Sequence, residues 1–197
     1  MKIGHNIVTF FCHSLEDIFL VFKKIVESEP NHHQSINMLG LIANIENDIE
    51  SSIKYIEKAV SLAPTNGYYR NNLGVVYLRN NDYDMALEEF MNAINYKKDI
   101  SEAYSNAGFI LHKKGRFKES KEMFETALAY NPANIQAYLN GANLCKDMGD
   151  YSQALGHYMS IIDQDSTNIE AHLKMAEIYF ELKFYNEALE YYSKAID

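Results

Sequence analysis

Apolar residues recur along this chain at two periods. The short period is helical. Leu73, Gly74, Tyr77 and Leu78 share one face, and Leu87, Phe90, Ala93 and Ile94 share another, with the three- and four-residue steps of a helix of about 3.6 residues per turn. Between them lies Asn80-Asn81-Asp82-Tyr83-Asp84, polar and tolerant of left-handed backbone, which predicts a turn. The long period is 34 residues: a frame opened at His33 gives units 33–66, 67–100, 101–134, 135–168 and an incomplete 169–197. Small residues recur at position 8 (Gly40, Gly74, Gly108, Ala142, Ala176) and at position 20 (Ser52, Ala86, Ser120, Ala154, Ala188). Position 27 is small in Ala59, Ala93, Ala127 and Ala195, with Ile161 as the exception. Position 24 is large and apolar: Ile56, Phe90, Phe124, Tyr158, Tyr192. Small residues fit where two helices approach closely, and large ones where a gap must be filled. Each unit therefore predicts helix, short turn, helix, short turn.

The three prolines, Pro30, Pro64 and Pro132, all fall at position 32 of a unit. Proline there stops one helix and pre-sets the next turn. Gly115 and Gly149 occupy the turn inside their units.

A 34-residue helical hairpin with Gly at 8, Ala at 20 and 27, an aromatic residue at 24 and Pro at 32 resembles the tetratricopeptide repeat. Asn71-Asn72-Leu73-Gly74-Val75-Val76-Tyr77 followed by Asp82-Tyr83-Asp84-Met85-Ala86-Leu87 carries the likeness most clearly. The resemblance covers residues 33–197 and, more loosely, 1–32. It implies an all-α, right-handed solenoid of about 5.5 hairpins forming one continuous domain, because no single hairpin buries its apolar face alone. Lys98 and Ser166 stand where the repeat has proline, and Ile161 should loosen its hairpin slightly.

Residues 1–32 are expected to form an N-terminal cap or degenerate repeat. Ser14 with Asp17 opens a helix over Leu15–Glu29, and a shorter helix is expected over Ile3–Cys12. At the other end no polar capping helix follows Ile196, so Leu189, Tyr192 and Ile196 should be partly exposed. That pattern is expected in a piece of a longer protein or in a chain that pairs end to end.

Composition narrows the function. The formal net charge is −9, which argues against a general nucleic-acid binder. Cys12 and Cys145 are the only cysteines, too few for a disulfide framework, and a reducing, cytoplasmic setting is expected. No apolar run approaches the roughly 18 residues that cross a bilayer. No metalloprotease, phosphate-loop or nucleophile-elbow motif occurs. His32 and His33 sit in an inter-unit turn, and Cys145 falls at a core position. No catalytic site, metal or cofactor is therefore expected.

The resemblance places the first helix of each unit along a concave groove. Position 6 there reads Met38, Asn72, Asn106, Asn140 and Lys174. Three in-register asparagines resemble the asparagine ladder in the repeat arm of O-linked N-acetylglucosamine transferases. A carboxamide offers both donor and acceptor, so such a row holds an extended peptide by its backbone. Tyr68, Phe109, Leu139 and Asn143 are expected to supply side-chain contacts. A chaperone-tail carboxylate clamp is not expected, because position 5 holds Asn37, Asn71 and Ser105 rather than lysine. Charge divides by thirds: −3 over residues 1–66, zero over 67–134 and −6 over 135–197. The middle third carries Arg79, Lys113, Lys114 and Arg116, and the last carries Asp147, Glu170, Glu177 and Glu181. That split fits a ligand with one acidic and one basic end, or simply solvated faces. The first expectation is a protein-interaction module that binds a peptide partner. The alternatives are the substrate-recognition arm of a larger enzyme, such as a glycosyltransferase, and a self-associating scaffold.

Overall fold

The computed structural model describes residues 14–196. These form eleven helices: α1 (Leu15–Ser28), α2 (His33–Ile45), α3 (Ile49–Leu62), α4 (Gly67–Arg79), α5 (Tyr83–Tyr96), α6 (Ser101–Lys113), α7 (Phe117–Tyr130), α8 (Ile135–Asp147), α9 (Tyr151–Gln164), α10 (Ile169–Glu181) and α11 (Tyr185–Lys194). No strand occurs among the described residues. Helices α2 to α11 fall in pairs on the 34-residue frame, and α1 stands where the second helix of a preceding unit would be. The segment Ile3–Cys12 lies outside the described residues.

Each boundary has a local cause. Ser14 caps α1, its hydroxyl accepting from Asp17 N at 3.2 Å. Inside the units, the residue at position 15 takes positive φ five times: Asn47, Asn81, Gly115, Gly149 and Lys183. Glycine and asparagine suit that conformation, whereas Lys183 adopts it at a cost. At position 16, Asp48, Asp82 and Asp150 cap the second helix, each accepting a backbone N–H. Arg116 and Phe184 stand there without a side-chain cap.

Small residues do what their positions predict. A Cβ on Gly74 would lie 2.7 Å from the Phe90 ring, and one on Gly108 equally close to Phe124. The hydroxyls of Ser52 and Ser120 donate to the carbonyls of Gly40 and Gly108 at 2.8 and 2.7 Å, satisfying buried polar groups across the hairpin. Ile161 is fully buried, so the larger side chain is accommodated in its unit. Phe90, Phe124 and Tyr158 are also buried, and Cys145 behaves as a small core residue. Leu189 is 67% and Ile196 84% exposed.

The stacking sets the curvature. Helix α2 touches α4, α4 touches α6, and α6 touches α8, whereas the second helices of adjacent units make no comparable contact with one another. The first helices are therefore the inner layer of an α-solenoid, and their free faces line its concave side.

Candidate functional site

The three predicted asparagines sit in register on α4, α6 and α8, with unequal surroundings. Asn72 is half-buried, and its Nδ2 donates to Asn37 Oδ1 on α2 at 3.1 Å. Asn106 is half-buried with neither end of its carboxamide engaged by protein. Asn140 is 7% exposed and accepts from Gln136 Nε2 at 3.2 Å. Only Asn106 keeps its whole donor–acceptor pair unengaged; the other two are partly occupied by neighbours. Asn71 Oδ1 and Ser105 Oγ, beside this row, are buried without a protein partner.

The predicted flanking residues divide by location. Tyr68 is exposed at the start of α4, with Lys97 Nζ 5.1 Å from its ring centre. Leu139 is half-buried and packs on the core between α8, α9 and α10. Phe109 and Asn143 meet across α6 and α8 in one cleft of about 250 Å³, which Asn140, His112, Lys113, Lys146 and Asp147 also line. The structure thus gathers Phe109, Asn140 and Asn143 at one place and leaves Tyr68 near the opposite end of the described row.

Charges along this surface are mostly paired. Arg79 holds Asn44 and Asn47. Lys114 pairs with Asp84, and Arg116 pairs with Glu119 at 2.6 Å. Of the four predicted cations of the middle third, Lys114 and Arg116 meet carboxylates, Arg79 is held by amide and carbonyl oxygens alone, and Lys113 Nζ lies 5.5 Å from the Phe109 ring centre. In the last third, Asp147 meets His112 at 2.8 Å, Glu177 meets Lys174 at 2.9 Å, and Glu181 meets Lys146 at 2.7 Å.

One grouping was not foreseen. Cys145 and His157 line a smaller cleft between α7, α8 and α9, together with Gly141, Gln153 and Lys121. Burial pushes the Cys145 thiol up and the His157 imidazole down. Both groups are thereby held neutral, the opposite of an activated thiolate–imidazolium pair. The signal available in sequence was Gly141 one turn before Cys145, since a Cβ at Gly141 would lie 3.3 Å from His157 Nε2. Among the described residues no group of three or more His, Cys, Asp or Glu is placed to hold a metal. No described helix is long and apolar enough to cross a membrane.

Repeat-family models settle what this architecture is. Four tetratricopeptide repeat models match, over residues 33–66, 55–88, 101–134 and 146–197. The chain belongs to the tetratricopeptide repeat family. No curated protein sequence matches it. Solved tetratricopeptide structures do match in shape. MamA is 21% identical, with a TM-score of 0.72 over 80% of this chain and 92% of that one. YrrB, described as a repeat protein with an unusual peptide-binding site, is 20% identical, with a TM-score of 0.68 over 89% and 91%. PilF of Pseudomonas aeruginosa is 19% identical, with a TM-score of 0.76 over 83% and 75%. At these identities the likeness is one of fold. The tetratricopeptide repeat makes the chain a protein-interaction module in broad class.

Proposed function

We propose that the concave face of α4, α6 and α8 binds an extended peptide by its backbone, with Asn106 as the central contact. The observation that carries this reading is the free carboxamide of Asn106, half-buried in the inner layer between the partly engaged Asn72 and Asn140. A carboxamide in that setting offers a peptide unit one donor and one acceptor at once. Neighbouring Phe109 gives the bound chain an apolar surface, and Tyr68 extends the contact toward the N-terminal units. YrrB, a structural neighbour with a peptide-binding site, supports the class of ligand.

The test is selection of peptides from a random library on the full chain, followed by affinity measurement on variants. Asn106→Ala and Asn140→Ala should each weaken selected peptides about three- to tenfold, the worth of one or two net hydrogen bonds. Helicity should not change. Unaltered affinity in both variants sinks the reading.

A second reading rests on the α10–α11 hairpin, where Leu189 on α11 and Ile196 just beyond it are strongly exposed. An apolar helix face of this kind supports self-association through the C-terminal hairpin. Light scattering over a concentration series tests it. A constant monomer mass in the native chain removes it, and so does an unchanged mass in Leu189→Glu.

A further inference from the structure

The α10–α11 hairpin repeats a surface that the earlier units bury. In those units positions 4 and 27 pack against the first helix of the next unit. Ile36 and Ala59 are fully buried and cluster with Tyr69, and Tyr104 and Ala127 cluster with Ala137. Ala93 clusters with Ala103 in the same way. The residue brought to this place stands at position 3 of its unit, and it is alanine in Ala103, Ala137 and Ala171. In the last unit the corresponding pair is His172 and Ala195. Ala195 is only half-buried. Ile196, at position 28, is 84% exposed, whereas Val60, Ile94, Leu128 and Ile162 at that position are half-buried.

His172, Ala195 and Ile196 line a cleft of about 710 Å³ together with Ile162 and Ile169. One polar group there is unsatisfied. His172 is 4% exposed, and its Nε2 donates to Ser166 O at 2.9 Å, since a carbonyl only accepts. In the neutral ring Nδ1 is then an acceptor, and it is buried without a protein partner among the described residues. Charge around the cleft is mainly acidic. Asp163, Asp165 and Glu170 flank the lining residues in sequence and are exposed. Lys194, also on the cleft, pairs with Glu190.

We propose that this cleft docks an amphipathic helix of a separate partner chain, with an alanine-rich apolar stripe and a lysine- or arginine-rich polar face. The helix lies as the first helix of a unit does, with its small residues at His172 and Ala195 and its apolar flank on Ile196. The stripe follows from what the earlier units bring to the same place. The basic face follows from the carboxylates, which attract it and make the contact sensitive to salt. A second copy is disfavoured as the occupant, because the two ends would meet with the net −6 of residues 135–197 on each. Leu189 belongs to a different contact: its equivalent, Leu87, lines a gap with Glu119 and Met123 on the second helix of the next unit. The cleft shares no residue with the groove contacts proposed above.

Three helical peptides of about 18 residues, or five turns, test the site. The first carries the alanine-rich stripe and a lysine face. The second carries the same stripe and a glutamate face. The third keeps the lysine face and has serine and glutamine in place of the stripe. Each is titrated into the full ¹⁵N-labelled chain. Signals of Ile169, His172 and Ala195 should shift with the first peptide alone, and those of Asn106 should stay in place. Ile196→Ser should weaken binding about tenfold, and Glu170→Gln about twofold at low salt. Leu189→Ser should leave it unchanged. All three side chains are exposed, so none of these variants threatens the fold. An equal response to the first and third peptides reduces the effect to charge and overturns the site. An equal response to the first and second overturns the basic partner. Shifts at Asn106 in place of Ile169, His172 and Ala195 overturn the site and leave the groove reading standing. Absence of any shift overturns the site, and light scattering on the same sample then shows whether a second copy covers this end.

Discussion

Asn72 on α4 donates to Asn37 on α2 at 3.1 Å. The bond ties the first helices of two units together, and Asn37 is 5% exposed. One member of the asparagine row is therefore structural as well as available to a ligand. Asn71 and Asn106 occupy the equivalent positions one unit on, yet make no such bond. The row is uniform in sequence and graded in commitment.

That grading predicts which substitutions separate folding from binding. Asn72→Ala leaves a buried acceptor unpaired on Asn37, and should cost about 1–3 kcal/mol. A chain of this size then melts several degrees lower. Asn106→Ala breaks no protein contact, and should leave the melting temperature nearly unchanged while weakening peptide binding. Thermal melts of the two variants check this, and equal losses of stability would contradict it.

Glycine-to-alanine changes should have opposite signs at two helical sites. A Cβ at Gly74 meets the Phe90 ring at 2.7 Å, whereas one at Gly156 on α9 meets nothing within 4 Å. Overpacking against a buried ring costs about 1–3 kcal/mol. Relief of glycine's entropy in an open helical site returns about 0.5–1 kcal/mol. Denaturant unfolding should therefore show Gly74→Ala destabilised and Gly156→Ala stabilised. Phe90→Leu should lessen the penalty at Gly74, since the clash is with ring atoms.

The repeat was legible because packing imposes the same demand in every unit: small at position 8, large at 24. Gly74 and Phe90 announce each other from one sequence. Lys183 does not announce its positive φ, because nothing in its chemistry favours that backbone; only the frame it shares with Asn47, Asn81, Gly115 and Gly149 places it there. The asparagine row was legible too, but its engagement was not. Asn37 lies 35 residues from Asn72, and Tyr158 lies 15 from Asn143, so which carboxamide atoms stay free is decided by tertiary geometry. The same holds for charge. Arg79, Lys114 and Arg116 read as a basic surface in sequence, yet Lys114 and Arg116 are paired with carboxylates and Arg79 is held by Asn44 and Asn47.

His157 predicts a pH effect. Burial lowers its pKa from 6.5, with Lys121 nearby adding to the shift. The unfolded chain then takes up a proton at a pH where the folded chain resists it, so acidification favours unfolding. The contribution of His157 is present above about pH 6.5 and is lost as pH falls from there toward the folded value. Melting temperatures at pH 7.5 and 5.5 should show a smaller drop in His157→Gln than in the native chain. An identical drop in both removes His157 as the source.

The turn before α11 is the place where stability is easiest to add. Phe184 stands where Asp48, Asp82 and Asp150 cap the second helix of their units, and it is exposed without a cap bond. Phe184→Asp should supply the missing acceptor to the N–H at Glu187, worth about 1 kcal/mol. Lys183 precedes it at φ 66°, and Lys183→Gly should relieve about 1 kcal/mol of left-handed strain, less the entropy glycine adds to the unfolded chain. The first change should be the larger, because the second has an opposing term. Hydrogen exchange is the direct readout, since a terminal hairpin opens locally before the whole chain unfolds. Protection in Tyr185–Lys194 should rise in Phe184→Asp, while protection in α4 and α5 stays as it was. A gain spread evenly over all units would mean that the hairpin opens only with the rest of the solenoid, and the effect would then appear in global unfolding instead.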